Sequence, residues 1–213
     1  MAHEQQAVRT EEADRVLAAL GAAGILPVLR TRDASELGDQ VRRLHSAGAR
    51  VVELTTSIPG WEEQLAELGA AMPDLLLGMG TVTGQDTAER ALECGAAFLV
   101  SPYPVPGVRS VAERSGALLV EGGFTPGELA AAGASGIAKV FPAHVGGARY
   151  LRSLAPVLPG VRLVPSGGIG LRQVPDWLDA GAFAVSIGSE LFSADDLGAH
   201  IAEARALRAR GRR

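Results

Sequence analysis

Residues 136–168 read GIAKVFPAHVGGARYLRSLAPVLPGVRLVPSGG and contain the unit that decides the fold. An apolar run at 136–140 predicts a strand, the pattern at 148–157 predicts a helix, and a second apolar run at 162–165 predicts the next strand. Strands that are apolar nearly throughout are typical of parallel sheets covered by helices. The segment therefore predicts a β–α–β unit with two parallel strands.

The same alternation recurs along the whole chain. Apolar runs that predict strands lie at 25–29, 50–54, 75–79, 97–101, 117–120, 136–140, 162–165 and 182–187. Helical patterns separate them at 36–47, 62–71, 85–93, 106–115, 126–131, 148–157 and 174–180, and one more helix precedes the first strand. Eight such units favour an α/β fold of the (β/α)8 TIM barrel type with an extra N-terminal helix. Because no linker interrupts the pattern, we expect residues 1–213 to form a single TIM-barrel domain.

The composition argues against several classes of function. The chain has 213 residues and a formal net charge of −4, which gives no reason to expect nucleic acid or an anionic membrane as a partner. Its single cysteine, Cys94, excludes an internal disulfide and a multi-thiolate metal site. The N-terminus lacks the apolar core of a signal peptide and no apolar run is long enough to span a membrane, so we expect a cytoplasmic protein.

Lys139 is the only lysine in the chain, which contains 19 arginines. Arginine can replace lysine where only a positive charge is needed, but it cannot supply a primary amine that loses its proton. Lys139 lies inside the apolar run Ile137-Ala138-Lys139-Val140-Phe141, where burial favours the neutral amine that attacks a ketone. The pattern indicates a nucleophilic lysine that attacks a ketone.

Glu53 is the only acid inside the second predicted strand, in Val51-Val52-Glu53-Leu54. An apolar environment raises the pKa of a carboxyl group toward the range that general acid–base catalysis needs. Catalytic groups of a TIM barrel gather at the carboxyl ends of the strands, so Glu53 and Lys139 are expected to meet there. Glu53 then serves either as a structural ion-pair partner of Lys139 or as its acid–base partner.

Other polar or glycine residues mark the remaining strand ends. They are Arg30, Thr81, Ser101-Pro102, Glu121-Gly122-Gly123, Ser166-Gly167-Gly168 and Gly188-Ser189. The glycines after the seventh and eighth strands resemble the phosphate cradle of many barrels, although glycines also serve tight turns. His144 follows the lysine segment, and no His/Cys cluster has metal-ligand spacing.

These motifs together resemble a known family. The chain is similar to the bacterial 2-keto-3-deoxy-6-phosphogluconate / 4-hydroxy-2-oxoglutarate aldolases, and especially to their 2-keto-3-deoxy-6-phosphogalactonate branch, from about residue 20 to residue 195. The segments that carry the resemblance are Val51-Val52-Glu53-Leu54, Pro59-Gly60-Trp61-Glu62, Gly78-Met79-Gly80-Thr81-Val82, Ser101-Pro102, Lys139-Val140-Phe141-Pro142, Ser166-Gly167-Gly168-Ile169 and Gly188-Ser189.

The resemblance implies a class I aldolase that needs no metal and no cofactor. It assigns the imine with the substrate C2 carbonyl to Lys139 and proton transfer through a water to Glu53. It assigns the pyruvate half of the substrate to Thr81, Pro102, Phe141 and Ser166, and the phosphate to Gly167, Gly168, Gly188 and Ser189. The implied products are pyruvate and glyceraldehyde 3-phosphate, and the implied assembly is a homotrimer.

Three positions depart from the family pattern. Ser57 stands where the gluconate branch has an arginine for the substrate carboxylate, and Arg30 is expected to supply that charge from the first strand. Tyr103 replaces a small or amide residue and is expected to narrow the mouth of the site. Glu121 replaces a proline, and we expect its carboxylate to oppose an anionic substrate unless Arg30 neutralises it.

The residues leave three alternatives to a phospho-sugar-acid aldolase. Ser57, Tyr103 and Glu121 are compatible with an aldolase for an unphosphorylated 4-hydroxy-2-oxo acid or a specialised metabolite. A phosphate-binding barrel isomerase would use Glu53 as a base and Lys139 only electrostatically. A non-catalytic barrel that binds a metabolite would need neither group.

Overall fold

The computed structural model describes residues 11–188, 190–192 and 196–210. Strands and helices alternate, and every strand pair is parallel. The strands are β1 Ile25–Leu29, β2 Val51–Thr55, β3 Leu76–Gly80, β4 Phe98–Val100, β5 Leu118–Gly123, β6 Ile137–Val140, β7 Arg162–Pro165 and β8 Val185–Ile187. The helices are α1 Glu11–Ala23, α2 Leu37–Ser46, α3 Trp61–Ala71, α4 Gln85–Glu93, α5 Pro106–Ser115, α6 Pro126–Ala132, α7 Ala143–Leu154, α8 Val174–Asp179 and α9 Leu197–Arg210.

The eight strands form a TIM barrel, as the sequence predicts. Sequential strands are neighbours from β1 to β7, β8 pairs with β1, and a bridge between Ser166 and Ser186 joins β7 to β8. The predicted N-terminal helix is α1, whose Val16, Leu17 and Leu20 pack into the apolar cluster inside the barrel. A second, larger apolar cluster fills the layer between the strands and the outer helices.

Three elements differ from their predicted bounds by three residues or more. β5 continues to Gly123 instead of stopping at residue 120, so that Glu121 lies inside the strand. α7 begins at Ala143 instead of residue 148 because Gly147, with φ of 67°, allows a kink inside the helix instead of ending it. β8 begins at Val185 instead of residue 182.

The tilt of the strands arranges the side chains inside the barrel in levels. In a TIM barrel, each level takes four side chains from alternate strands. The strand registers place one residue from each of β2, β4, β6 and β8 on the same level: Glu53, Val100, Lys139 and Ser186. We name these four residues the polar level. The level beneath it, from the same strands, is apolar: Val51, Phe98, Ile137 and Ala184.

Candidate functional site

Lys139 lies near the carboxyl end of β6 and points into the barrel. Its side chain is 8% exposed, and its Nζ lies 4.0 Å from Oε1 of Glu53. The same Nζ lies 5.4 Å from the centre of the Phe141 ring, which is partly exposed at the mouth. The structure therefore brings the predicted nucleophile, the predicted acid–base group and an aromatic side chain together.

Glu53 is 1% exposed on β2. Burial raises the pKa of its carboxyl group, while the positive charges of Lys139 and Arg30 oppose that rise. Its Oε2 accepts no hydrogen bond from any described residue. Gly80 on the neighbouring strand leaves the space that the carboxylate occupies, because a Cβ at residue 80 would overlap Oε1 of Glu53. The geometry holds a carboxyl group that can take up and release a proton next to an amine.

Arg30 and Thr81 form a polar edge beside this pair. Nη2 of Arg30 donates a hydrogen bond of 3.0 Å to Oγ1 of Thr81, and Thr56 donates one of 2.9 Å from its Oγ1 to the carbonyl of Thr81. Thr81 has φ of 61°, which is rare and costly for a β-branched residue. The two hydrogen bonds hold this strained residue at the end of β3. Arg30 is exposed and brings a positive charge to the mouth.

Pro102 and Tyr103 follow β4 at the rim of the barrel. Oγ of Ser101 donates a hydrogen bond of 2.9 Å to the carbonyl of Tyr103, which fixes the turn. The backbone of Pro102 passes so close to Gly122 that a Cβ there would overlap it. Tyr103 is 54% exposed, so that its ring stands in solvent at the rim.

The loop after β7 lies against the start of α7. The backbone N–H of Ala143 donates to the carbonyl of Ser166 at 2.8 Å, and that of His144 donates to the carbonyl of Gly167 at 3.2 Å. Gly167 and Gly168 have φ of 93° and 68°, conformations that favour glycine. The N–H of Gly168 donates to no acceptor within the described ranges, whereas the N–H of Gly167 faces the carbonyl of Ser186 in the bridge that joins β7 to β8.

Gly188 follows β8 and is half-buried, whereas Ser189 lies outside the described residues. The side chain of Ser166 is buried and, through its bridge to Ser186, lies next to β8 inside the barrel. The predicted phosphate-binding glycines thus lie in two loops that follow adjacent strands. Free N–H groups in left-handed glycine turns are suited to binding an anion.

The expectation for Glu121 is wrong. Side chains alternate along β5, and Leu119 packs in the layer beneath the helices, so Glu121 also points outward. Its Oε1 accepts from the N–H of Val105 at 3.0 Å, and its Oε2 accepts from Nε of Arg109 at 3.0 Å and from Nη2 of the same residue. Arg109, not Arg30, neutralises Glu121, which faces the helical layer instead of the substrate.

Ser57 is uncharged and therefore cannot bind a substrate carboxylate as the arginine of the gluconate branch would. Its Oγ makes a hydrogen bond of 2.9 Å with Oγ1 of Thr55 at the end of β2. Nδ1 of His144, an exposed residue, lies 3.3 Å from the carbonyl of Gly167, so this ring is beside the predicted phosphate loop.

Two residues shape this region but were not among the predicted site residues. Gly80 is required by the position of Glu53, and Ser186 shares the level of Glu53 and Lys139 inside the barrel. A signal for Ser186 exists in Val185-Ser186-Ile187, where a lone polar residue interrupts an apolar strand as Glu53 and Lys139 do in theirs.

No group of three or more metal-binding side chains occurs within residues 11–188, 190–192 and 196–210. In the same ranges, no helix has the length and apolar character needed to cross a membrane.

Comparison with known proteins decides the family. The model of the KDPG and KHG aldolase family matches residues 16–204. The chain belongs to this family. An aldolase for 2-dehydro-3-deoxy-phosphogluconate from Dickeya dadantii is 29% identical over 181 residues, which cover 84% of this chain and 85% of the relative.

Solved structures of aldolases share the fold. A 4-hydroxy-2-oxoglutarate / 2-dehydro-3-deoxyphosphogluconate aldolase is 38% identical with a TM-score of 0.77, over 91% of this chain and 96% of the other. The KDPG aldolase from Legionella pneumophila, captured with pyruvate as a covalent carbinolamine, is 25% identical with a TM-score of 0.77, over 93% and 97% of the chains. This protein is therefore an aldolase, and thus a lyase.

Proposed function

We propose that this aldolase cleaves a 2-keto-3-deoxy-6-phospho sugar acid into pyruvate and glyceraldehyde 3-phosphate through an imine on Lys139. The observation that carries the proposal is the buried pair in which Nζ of Lys139 lies 4.0 Å from Oε1 of Glu53. The Legionella relative, with pyruvate bound as a carbinolamine, supports the same chemistry here. Membership of an aldolase family argues against the isomerase and the non-catalytic alternatives.

The covalent step begins at the neutral amine of Lys139. Nζ attacks C2 of the keto acid and gives a carbinolamine, which loses water to give the imine. Glu53 supplies the proton for the departing hydroxyl and then, as a carboxylate, accepts the proton of the C4 hydroxyl through a water. The C3–C4 bond breaks, its electrons form the enamine, and the aldehyde leaves. Protonation at C3 and hydrolysis of the imine release pyruvate and restore Lys139.

The carboxylate of the substrate is assigned to the edge formed by Arg30 and Thr81. Arg30 provides the positive charge that Ser57 cannot provide, and its hydrogen bond to Thr81 holds the guanidinium near Glu53. Ser166, Pro102 and Phe141 complete the pyruvate half of the proposed site. The aromatic ring beside Nζ shields the imine from water on the open side of the barrel.

The phosphate is assigned to the two loops after β7 and β8. The N–H of Gly168 is available there, and the proposal adds Gly167 from the same loop and Gly188 and Ser189 from the neighbouring loop. Glu121 does not repel this anion, because it lies outside the barrel wall and is paired with Arg109. The presence of Glu121 in β5 is therefore compatible with an anionic substrate.

An unphosphorylated 4-hydroxy-2-oxo acid is the second candidate, because Tyr103 departs from the family pattern and stands exposed at the rim. A comparison of kcat/KM for phosphorylated and unphosphorylated substrates, with pyruvate release as the readout, separates the two. We expect the phosphorylated substrate to be preferred about 10- to 100-fold, the equivalent of one or two charge-assisted hydrogen bonds. Equal or reversed values would favour the second candidate.

We further propose a homotrimer that works in the cytoplasm. The family resemblance implies the trimer, and the exposed apolar side chains of Tyr103, Val145 and Val157 are available for an interface. Light scattering of the purified protein tests the assembly, because a monomer mass at micromolar concentration would contradict a stable trimer.

A further inference from the structure

Ser186 is a buried polar residue in the middle of β8 that the proposed mechanism does not use. Its neighbours Val185 and Ile187 pack in the layer beneath the outer helices, so Ser186 points into the barrel. The residue is 3% exposed. Its Oγ has no hydrogen-bond partner in the part of the chain that the structure describes.

The position of Ser186 relates it to the proposed reaction. The polar level contains Glu53, Lys139, Ser186 and one apolar residue, Val100. β8 lies between β6 and β2 around the ring, separated from each by one strand. Ser186 therefore stands on the same level as both members of the lysine–glutamate pair and on the arc between them.

Two buried side-chain atoms lack a hydrogen-bond partner among the described residues, and both belong to the polar level. They are Oε2 of Glu53 and Oγ of Ser186. A buried polar atom without a partner is costly, and buried waters in proteins typically bind to such groups in sets of two to four. The hydroxyl can donate and the carboxylate can accept, so that one water can serve both.

We propose that Ser186 is a positioning residue that acts through Glu53. Its hydroxyl donates to a water, and this water donates to Oε2 of Glu53, which orients the carboxyl group beneath the substrate. Ser186 keeps its own proton throughout, and the proton that moves during catalysis is the one on Glu53. The small serine side chain also leaves room for the long side chains of Lys139 and Glu53 on the same level. This inference rests on the proposed function of Lys139 and Glu53.

The test compares Ser186→Ala with the wild type in three measurements. Exchange of the methyl protons of pyruvate in D2O reports proton transfer to the enamine, and we expect it to slow about tenfold, the rate equivalent of one lost hydrogen bond. Borohydride trapping of pyruvate on Lys139 should persist, since the amine is unchanged. The thermal midpoint should stay within a few degrees, because the substitution removes only one hydroxyl group.

The pH profile distinguishes positioning from a packing role. A donor that reaches the carboxylate lowers the pKa of Glu53, so Ser186→Ala should move the acid limb of the exchange rate to higher pH. Lys139 and Arg30 are the charged groups that act on Glu53, and both stay in place in this variant. A packing role would leave the acid limb where it is.

Ser115→Ala is the matched control, because it removes a hydroxyl that donates to the carbonyl of Val111 within α5, away from the polar level. If Ser186→Ala does not fold, Ser186→Cys carries the same expectations, since a thiol is a weak hydrogen-bond donor. An exchange rate within twofold of wild type, with trapping intact, would overturn the role of Ser186 alone. Absence of trapping in the wild type would instead overturn the proposed function.

Discussion

Glu53 and Glu121 are both buried glutamates in the strands of the barrel, and each is 1% exposed. Glu53 points inward, lies 4.0 Å from a lysine and leaves Oε2 without a partner among the described residues. Glu121 points outward, and both of its oxygens accept hydrogen bonds, from Arg109 and from the N–H of Val105. The two carboxylates have the same burial but opposite surroundings.

The difference shows that burial alone does not identify a catalytic acid. Glu121 has the partners that a permanent carboxylate needs, and through Val105 it fixes the start of α5. Glu53 lacks such partners, so its carboxyl group remains able to gain and lose a proton. The side of the sheet and the number of hydrogen-bond donors separate a group that holds structure from a group that is suited to proton transfer.

The largest expected difference between the two glutamates is in catalysis, because only Glu53 is proposed to transfer protons. We expect Glu53→Gln to lower kcat by about 10²- to 10⁴-fold, the usual contribution of a general acid–base group. Glu121→Gln is the matched control, and its kcat should stay within a few-fold of wild type. Steady-state release of pyruvate measures both, and equal losses in the two variants would refute the distinction.

The next largest expected effect is on the free energy of unfolding of the Glu121→Gln variant. Glu121→Gln should lower the free energy of unfolding by roughly 2 kcal/mol, since the charged half of its hydrogen bonds with the partly exposed Arg109 is lost. For a chain of this size, that corresponds to a fall of about 4–8 °C in the thermal midpoint. Calorimetry measures it, and an unchanged midpoint would show that the pair does not fix α5 to β5.

The smallest effect is on the pH dependence. Burial raises the pKa of Glu53 above 4.5, and the positive charge of Arg30 lowers it. If the carboxylate is the active base of the free enzyme, kcat/KM falls as the pH decreases through this raised pKa. Arg30→Gln removes the lowering charge and should move that acid limb to higher pH. Initial rates at limiting and saturating substrate across a range of pH measure this limb. A shift to lower pH would contradict the effect of the Arg30 charge on the pKa of Glu53.

The barrel could be predicted from the sequence because its strands are apolar and regularly spaced. The meeting of Lys139 and Glu53 followed from the rule that strand ends converge on one face of the barrel. The orientation of Glu121 was mispredicted because β5 runs through to Gly123, which places Glu121 in the strand's alternation instead of in the loop. Leu118 and Val120 point into the barrel, so the alternation turns Glu121 outward.

Other features depend on tertiary geometry that no local pattern encodes. The left-handed backbone of Thr81 is held by hydrogen bonds from Arg30 and Thr56, which lie 51 and 25 residues away in the chain. The level shared by Ser186, Glu53 and Lys139 appears only when the registers of eight tilted strands are followed around the barrel. Sequence spacing alone cannot supply these registers.

The central claim is that Lys139 forms an imine, and borohydride reduction in the presence of pyruvate tests it most directly. The account predicts a stable mass increment on the peptide that contains Lys139, and none on the folded Lys139→Arg variant, which should also lack aldolase activity. Mass spectrometry of the digested protein locates the increment. No increment on the Lys139 peptide, or an increment on a different group such as the N-terminal amine alone, would contradict the account.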